Sequence, residues 1–324
     1  MTESRSRSKA FAPATVANVA CGFDVLGLAL EAPGDTVTAE LVDEPGITIA
    51  AIDGDEGRLS RDPEKNTAAV AAASLVRYHA RLGSVGVRIE IEKGLPLASG
   101  MGSSAASAVA AAVAVNDLLR LDSDHPEVLK AAVEAERVVA GSGHPDNSAA
   151  CLYGGFVLVR SAEPLDVIRL PVPPGLSVAL LRPHLELSTR DSRMLLGNSV
   201  RLEDAVRQWA NLGGLVAGLY SEDLDLVSRS LADFVAEPLR SRQVPGFSAV
   251  KRAALEAGAL GSSLSGSGPS IFALCRDGDT ATSVARSMAA AFAGASDVEA
   301  DVYVSAVSPR GARVLREKEA PCAT

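Results

Sequence analysis

The sequence predicts an α+β protein built from two units, on three observations. Val87, Ile89 and Ile91 alternate with Arg88, Glu90 and Glu92, which is the period of a half-buried strand. The chain then passes through Pro96–Ser107 (PLASGMGSSAAS) into Ser103–Leu119, an Ala/Val run apolar almost all round, which predicts a buried helix. The prolines of Leu170–Gly175 (LPVPPG) break regular structure and mark a division. An N-terminal unit over 9–172 and a C-terminal unit over 173–316 follow, with a disordered arm at 1–8 and a tail at 317–324.

The other elements follow in chain order. Lys9–Phe11 and Thr36–Leu41 predict strands flanking a Gly/Pro-rich connection, Ala12–Gly34. Asn66–Arg81 predicts a helix, with Ala68, Ala71, Ala72, Leu75 and Val76 on one side. Pro126–Ala140 predicts another helix and Gly155–Arg160 a strand. Past the division come a strand at Leu176–Leu181, a short helix at Thr189–Leu196, and helices near Leu202–Tyr220, Leu224–Ala236 and Phe247–Ala257. A strand at Ser270–Leu274, a helix at Thr280–Phe292 and a strand at Glu299–Ala306 complete the chain. That order places helices on one antiparallel sheet in the second half.

Composition excludes several classes. The 324 residues suffice for two domains with a substantial core, 47% of them apolar and few aromatic. A net charge of −9 argues against a nucleic-acid surface, which needs concentrated Lys and Arg. The basic run Arg5, Arg7, Lys9 sits in the polar arm. No apolar run is long enough to span a bilayer, and no signal-peptide core opens the chain. Cys21, Cys151, Cys275 and Cys322 are far apart, which predicts reduced thiols in a cytoplasmic protein. With the four histidines equally scattered, no zinc site is expected.

Strand, glycine-rich turn and helix in that order suit a phosphate. Gly100 and Gly102 let the backbone approach an anion, and Ser103 and Ser104 stand at the positive end of the helix dipole. Serine hydroxyls there bond phosphate oxygens or enter a Mg²⁺ shell. A Ser-capped connection without ligand has the same residues, so both readings stand. The loop lacks the Lys of GxxxxGK[ST] and the spacing of GxGxxG. Four other constellations bear on it. Asn18–Asp24 (NVACGFD) embeds polar groups in a Gly turn. Glu136 falls on the stripe of Leu129, Ala132, Val133 and Ala140, away from the polar face of Lys130, Glu134 and Arg137. A carboxylate so placed must join an ion pair or bind a cation. Gly141–Asn147 (GSGHPDN) brings His144, Asp146 and Asn147 just beyond that helix. Ser262–Ser270 (SSLSGSGPS) is a second Gly/Ser loop, either a turn or a flap over the nucleotide or acceptor.

Together these segments resemble the GHMP kinase superfamily, named for galactokinase, homoserine kinase, mevalonate kinase and phosphomevalonate kinase. Its three motifs match Pro13–Gly27, Pro96–Ser107 and Ser262–Ser270, and the resemblance covers the chain beyond the arm. Ala17–Gly27 (ANVACGFDVLG), His144–Asn147, Ser188–Arg193, and Glu237–Arg240 with Pro245 and Gly246 are most similar to the homoserine kinase family. Val16 departs from that pattern, which has Ser there, and Met101 replaces the commoner Leu. The resemblance implies a ribosomal-protein-S5-like N-terminal domain and a ferredoxin-like C-terminal domain. It implies transfer of phosphate from ATP to the side-chain hydroxyl of L-homoserine, a step toward threonine. It further implies that Ser104 and Glu136 hold Mg²⁺, that Pro96, Leu97, Ala98, Ser99, Gly100, Met101, Gly102, Ser103, Ser104, Ala105 and Ala106 wrap the phosphates, and that Asn66 lies near the adenine. Asn18, Asp24, His144, Asn147, Thr189, Arg193 and Arg240 would line the amino-acid site.

The chemistry agrees with those roles. A zwitterion needs a cationic clamp, for which Arg193 and Arg240 are suited, and an anion, for which Asp24 is suited. Phosphoryl transfer depends on in-line positioning and charge neutralisation, so no strong base is required. Asn147 is expected to orient the hydroxyl, with Arg193 alongside; Asp146 is the available carboxylate if a base operates. Alternatives are a kinase for mevalonate or a sugar, and a non-catalytic nucleotide-binding regulator. The sequence does not itself define the oligomer; homodimers are common in the family, which makes a homodimer the expectation.

Overall fold

The computed structural model describes residues 6–316 apart from 82 and 142. Most of the predicted arm, the tail 317–324, Cys322 and Ser142 lie outside the described residues.

Alternating apolar residues near the N-terminus build the first sheet. It contains β1 (Arg7–Ala17), β2 (Leu26–Val42), β3 (Gly46–Asp53), β4 (Gly86–Glu92), β5 (Phe156–Ala162) and β6 (Leu165–Leu170). The order is β1-β2-β4-β3, with β5 hydrogen-bonded to the start of β2 and β6 to β5; only the β3–β4 pair is parallel. The connection predicted over Ala12–Gly34 is mostly strand instead. β1 runs on to Ala17 because Ala10, Ala12, Ala14 and Val16 keep pointing into the core. The prolines and glycines there serve close pairing: Pro13 opposes Gly34 next to a register shift. A Cβ on Gly34 would lie 2.4 Å from the Ala12 carbonyl.

Four helices cover this sheet: α1 (Thr67–Tyr78), α2 (Ser103–Leu119), α3 (His125–Ala140) and α4 (Pro145–Tyr153). α2 is buried nearly all round, as its composition predicts, since it packs on β1, β2, α1 and α3 together. α4 begins inside the polar stretch Gly141–Asn147, where the sequence predicted no helix. Pro145 suits the first turn of a helix, where a missing N–H leaves no bond unmade. Its first turn lies directly on β2, because a Cβ on Gly27 would meet the Asp146 carbonyl at 2.3 Å.

The second half opens with β7 (Ser177–Pro183), then α5 (Thr189–Met194), α6 (Leu202–Ser221), α7 (Leu224–Ser230) and α8 (Glu237–Arg240). The helix predicted over Leu224–Ala236 ends at Ser230. Asp233 stops it by accepting the backbone N–H groups of Val235, Ala236 and Glu237. After α9 (Phe247–Glu256) come β8 (Gly261–Leu264), β9 (Ile271–Cys275), α10 (Gly278–Ala293) and β10 (Ala300–Ala306). The second sheet has the order β10-β7-β9-β8 and is antiparallel throughout. Its period-two alternation serves two cores. Ala179, Leu181, Ile271 and Ala273 meet Val250, Val284, Met288 and Phe292 of α9 and α10. Val178, Leu180, Phe272 and Leu274 join Leu215 and Leu219 of α6 in the core that continues under the first sheet. Short β11 (Arg313–Val314) then returns to pair with β1. Residues expected to belong wholly to the second unit therefore complete the first sheet. No helix among the described residues is long and apolar enough to cross a membrane.

Candidate active site

Three loops close on one another between the two units. The turn after β1 meets the loop after β8: Gly266 N–H donates to the Ala17 carbonyl at 3.2 Å, and Asn18 Nδ2 donates to the Gly266 carbonyl at 3.0 Å. The glycine loop meets the same segment, with Ser265 Oγ donating to the Gly100 carbonyl at 2.6 Å. A cavity of about 690 Å³ opens where they join.

One end of the cavity has the character of an anion site. Gly100 and Gly102 have φ of +77° and +71°, and Cβ atoms there would lie 2.6 Å from the Ser265 carbonyl and 2.1 Å from Thr15 Oγ1. The loop delivers Ser103 and Ser104 to the N-terminus of the 17-residue helix α2. Ser104 Oγ donates to Glu136 Oε1 at 2.5 Å, so the last turns of α3 and the first turn of α2 meet here. Burial raises the pKa of Glu136, while the Ser104 hydrogen bond and the Lys93 charge oppose that rise. A cation beside the pair would relieve the desolvation. Among the described residues no three His, Cys, Asp or Glu side chains converge on a metal position. A hydroxyl and one carboxylate nonetheless suit Mg²⁺, which takes its remaining ligands from water and phosphate.

Behind the loop lies an ion pair that no motif announced. Lys93 and Asp35 are buried and bonded to each other. Lys93 Nζ also donates to Ser103 O at 3.0 Å and Ser107 Oγ at 2.8 Å, and Asp35 Oδ1 accepts Gly94 N and Leu95 N at 3.1 Å each. The network fastens the strand end before the loop to the helix after it. Glycine-rich backbone is thereby held in one conformation.

The other end is suited to a zwitterion. Asn18, Val19 and Ala20 follow one another at φ +68°, +42° and +59°, a left-handed run that strains a β-branched valine. Asn18 Oδ1 accepts the Asp24 N–H at 3.0 Å and closes the turn. Asp24 Oδ2 pairs with Arg193 Nη1 at 2.5 Å, and His144 Nδ1 stands 3.7 Å away. Desolvation lowers the His144 pKa against the pull of Asp24, favouring neutral imidazole. Arg240 is buried, and its Nε and Nη1 donate to the Ser192 and Gly266 carbonyls at 3.2 Å each. No carboxylate pairs with it among the described residues, and desolvation lowers its pKa. The Phe23 ring lies 5.1 Å from the Arg193 guanidinium and 5.2 Å from that of Arg240. An aromatic face so placed offsets their mutual repulsion.

Between the two ends stand Asp146 and Asn147. Asp146 is buried, and desolvation raises its pKa to about 7, although it accepts the Asn147 N–H at 2.8 Å. Thr15 Oγ1 donates to Asn147 Oδ1 at 2.7 Å, which leaves the amide nitrogen available to a ligand.

The cavity thus gathers Asn18, Asp24, Ala98, Ser99, Gly100, Gly102, Ser103, Ser104, Ala105, Glu136, His144, Asp146, Asn147, Thr189, Arg193 and Arg240. Met101 and Ala106 are buried in the core instead. Pro96 and Leu97 border a second cavity of about 290 Å³. Asn66 caps α1, accepting Ala68 N–H and donating to the Ser60 carbonyl at 3.0 Å each. Its neighbour Thr67 reaches Ser104, with hydroxyl oxygens 3.4 Å apart. Sequence reasoning missed Thr15, Phe23, Asp35, Lys93 and Ser107. A buried Lys directly after a strand was a detectable oddity only in hindsight of its partner, 58 residues away.

Comparison with known proteins gives the family. Residues 66–155 match the GHMP kinases N terminal domain and residues 215–294 the GHMP kinases C terminal domain. The chain is 46% identical to a homoserine kinase of Chloroherpeton thalassium over 94% of this chain and 98% of that one. It is 47% identical to one of Chlorobium phaeovibrioides over 95% and 99%. The crystal structure of homoserine kinase from Cytophaga hutchinsonii superposes with a TM-score of 0.92 at 49% identity, covering 97% of this chain and 99% of that one. Such likeness along the full length, with the three loops meeting at one cleft, places the chain in the homoserine kinase family of the GHMP kinases, which are small-molecule kinases.

Proposed function

We propose that the chain transfers the terminal phosphate of ATP to the side-chain hydroxyl of L-homoserine, forming O-phospho-L-homoserine. One observation carries this reading: a glycine-loop anion site shares a single cavity with Asp24 and a buried Arg240 that has no carboxylate partner among the described residues. An unpaired guanidinium removed from water calls for an anion, and the carboxylate of an amino acid supplies it in a fork. The names of the relatives support the same substrate.

Residue roles follow from chemistry. Backbone N–H groups of 102–105 at the start of α2, and the α2 dipole, bind the phosphates. Ser104 and Glu136 would hold Mg²⁺, which when bound neutralises phosphate charge. Asn66 caps α1 and thereby holds Thr67 beside Ser104, shaping the nucleotide side. Asp24 and His144 receive the ammonium, and Arg240 the carboxylate. Arg193, paired with Asp24 without substrate, exchanges that partner for a substrate anion when the ammonium arrives. Thr189, 3.4 Å from Ser267, closes the mouth of the site. Asn147 donates to the hydroxyl oxygen and aims it in line with the phosphate. Asp146, with a pKa of about 7, holds the departing proton near neutrality.

ADP release measured with and without L-homoserine, across Mg²⁺ concentrations, tests the proposal. Turnover should depend on both. Turnover indifferent to homoserine, or stronger with mevalonate or a sugar in the same assay, would sink it.

A further inference from the structure

Gln208 belongs to no motif, yet it joins the two segments that carry the opposite charges of the acceptor site. It sits half-buried on the second turn of α6, outside the cavity lining. Its Nε2 donates to the Cys21 carbonyl at 2.9 Å and to Asp233 Oδ1 at 3.1 Å, and its Oε1 accepts the Phe234 N–H at 2.8 Å. Three of the four hydrogen bonds open to a primary amide are therefore made, all to chain remote from α6.

Each partner leads to a charge. Cys21 lies in the strained turn between Asn18 and Asp24. Asp233 caps the chain entering α8, accepting Ala236 N–H at 3.0 Å and Glu237 N–H at 2.8 Å, one turn before Arg240. Asn211, a turn further along α6, donates to the Ala232 carbonyl at 3.0 Å, and Arg207 lies 5.4 Å over the Phe234 ring. The loop 231–236 is thus seated on α6, while the Asn18–Asp24 turn reaches the same helix through Gln208.

We infer that Gln208 is a positioning residue that sets the spacing between Asp24 and Arg240, and with it the selection of a substrate carrying both an ammonium and a carboxylate. The inference rests on the zwitterion site proposed above. A two-point clamp is sensitive to spacing, because a substrate spanning it loses one charge-assisted bond when the points move. The glycine-loop end has its own anchor in Lys93 and Asp35, so the change falls mainly on the acceptor end.

The test compares wild type, Q208M and Q208E. Met keeps the length and makes none of the three bonds. Glu places a second carboxylate against Asp233 and the Cys21 carbonyl. Steady-state kinetics are run with L-homoserine and with 3-amino-1-propanol, which keeps the hydroxyl and ammonium but lacks the carboxylate. KM for L-homoserine should rise about tenfold in Q208M and about a hundredfold in Q208E, from the loss of hydrogen bonds and the added like charge. KM for ATP and kcat should stay within about threefold, and kcat/KM for the aminopropanol should fall far less than for homoserine. Unchanged KM for homoserine in an active, folded Q208M would overturn the inference. So would a parallel rise in KM for ATP, or equal losses with both acceptors. Wild-type enzyme that ignores homoserine overturns the underlying substrate reading instead, and the inference falls with it. Thermal melts identify a Q208E that fails to fold, in which case Q208M alone decides.

Discussion

Replacing Asp146 by Asn should change the pH dependence of stability and of rate together. The carboxyl is buried at the start of α4, and its pKa is lifted from an ordinary 3.8 to about 7 by loss of hydration. Between those values the folded protein keeps a proton that the unfolded chain has released. Stability contributed by this group is therefore fully present below pH 4, falls as pH rises, and levels off above pH 7. At 1.36 kcal/mol per pH unit the wild-type loss is about 4 kcal/mol across that window. Asn keeps an oxygen for the Asn147 N–H and cannot ionise. Urea unfolding at pH 4.5, 6, 7 and 8.5 should show D146N gaining on wild type as pH rises, by about 3 kcal/mol over that range. In rate profiles, wild-type kcat should climb through neutrality as Asp146 ionises. D146N should lose that limb, with kcat down about 100-fold or more if the carboxylate accepts the hydroxyl's proton. Parallel stability profiles for the two proteins would refute the buried, protonated carboxyl. A D146N enzyme of unaltered rate and profile would refute its part in proton transfer.

Three further outcomes follow from the same geometry. R240M should raise KM for L-homoserine by about 100-fold or more, since a charged hydrogen-bonded pair contributes about 1.5–3 kcal/mol per bond, while melting temperature changes little because a buried unpaired charge leaves with it. An unaltered KM would argue against Arg240 as the carboxylate anchor. E136Q should raise the Mg²⁺ concentration for half-maximal turnover by more than about tenfold, read in a metal titration of ATPase activity. Equal Mg²⁺ curves would remove Glu136 from the metal site. K93M leaves Asp35 buried without its cation and should cost about 3–5 kcal/mol in urea unfolding, whereas an unchanged midpoint would show the pair to be dispensable.

Local signals made much of the molecule legible. The β4 strand showed in alternation, α2 in its unbroken apolar composition, and the cavity's anion end in two glycines followed by two serines. Glu136 was legible as a carboxylate on an apolar stripe, because stripe and charge both lie within one helix. Other elements were hidden for identifiable reasons. β1 and β2 looked interrupted because their glycines and prolines answer to a neighbouring strand. α7 looked too long because Leu231, Ala232, Phe234 and Val235 continue the apolar run past Ser230, while Asp233 draws the backbone N–H groups after it into a cap. α4 was not predicted because its first turn is polar and its packing on Gly27 is remote in sequence.

By itself the sequence determined the kinds of chemistry available: a glycine-serine loop for phosphate, and acids and arginines for an amino acid. Those follow from residue type and short-range spacing. Tertiary structure alone decided which groups face one another. It paired Asp24 with Arg193 and left Arg240 buried without an acid among the described residues. It fastened the loop with Lys93 and Asp35, and tied the Asn18–Asp24 turn to Asp233 through Gln208. Each of those pairings joins residues tens to hundreds of positions apart, and burial strengthens the contact while removing the water that would otherwise compensate for a missing partner.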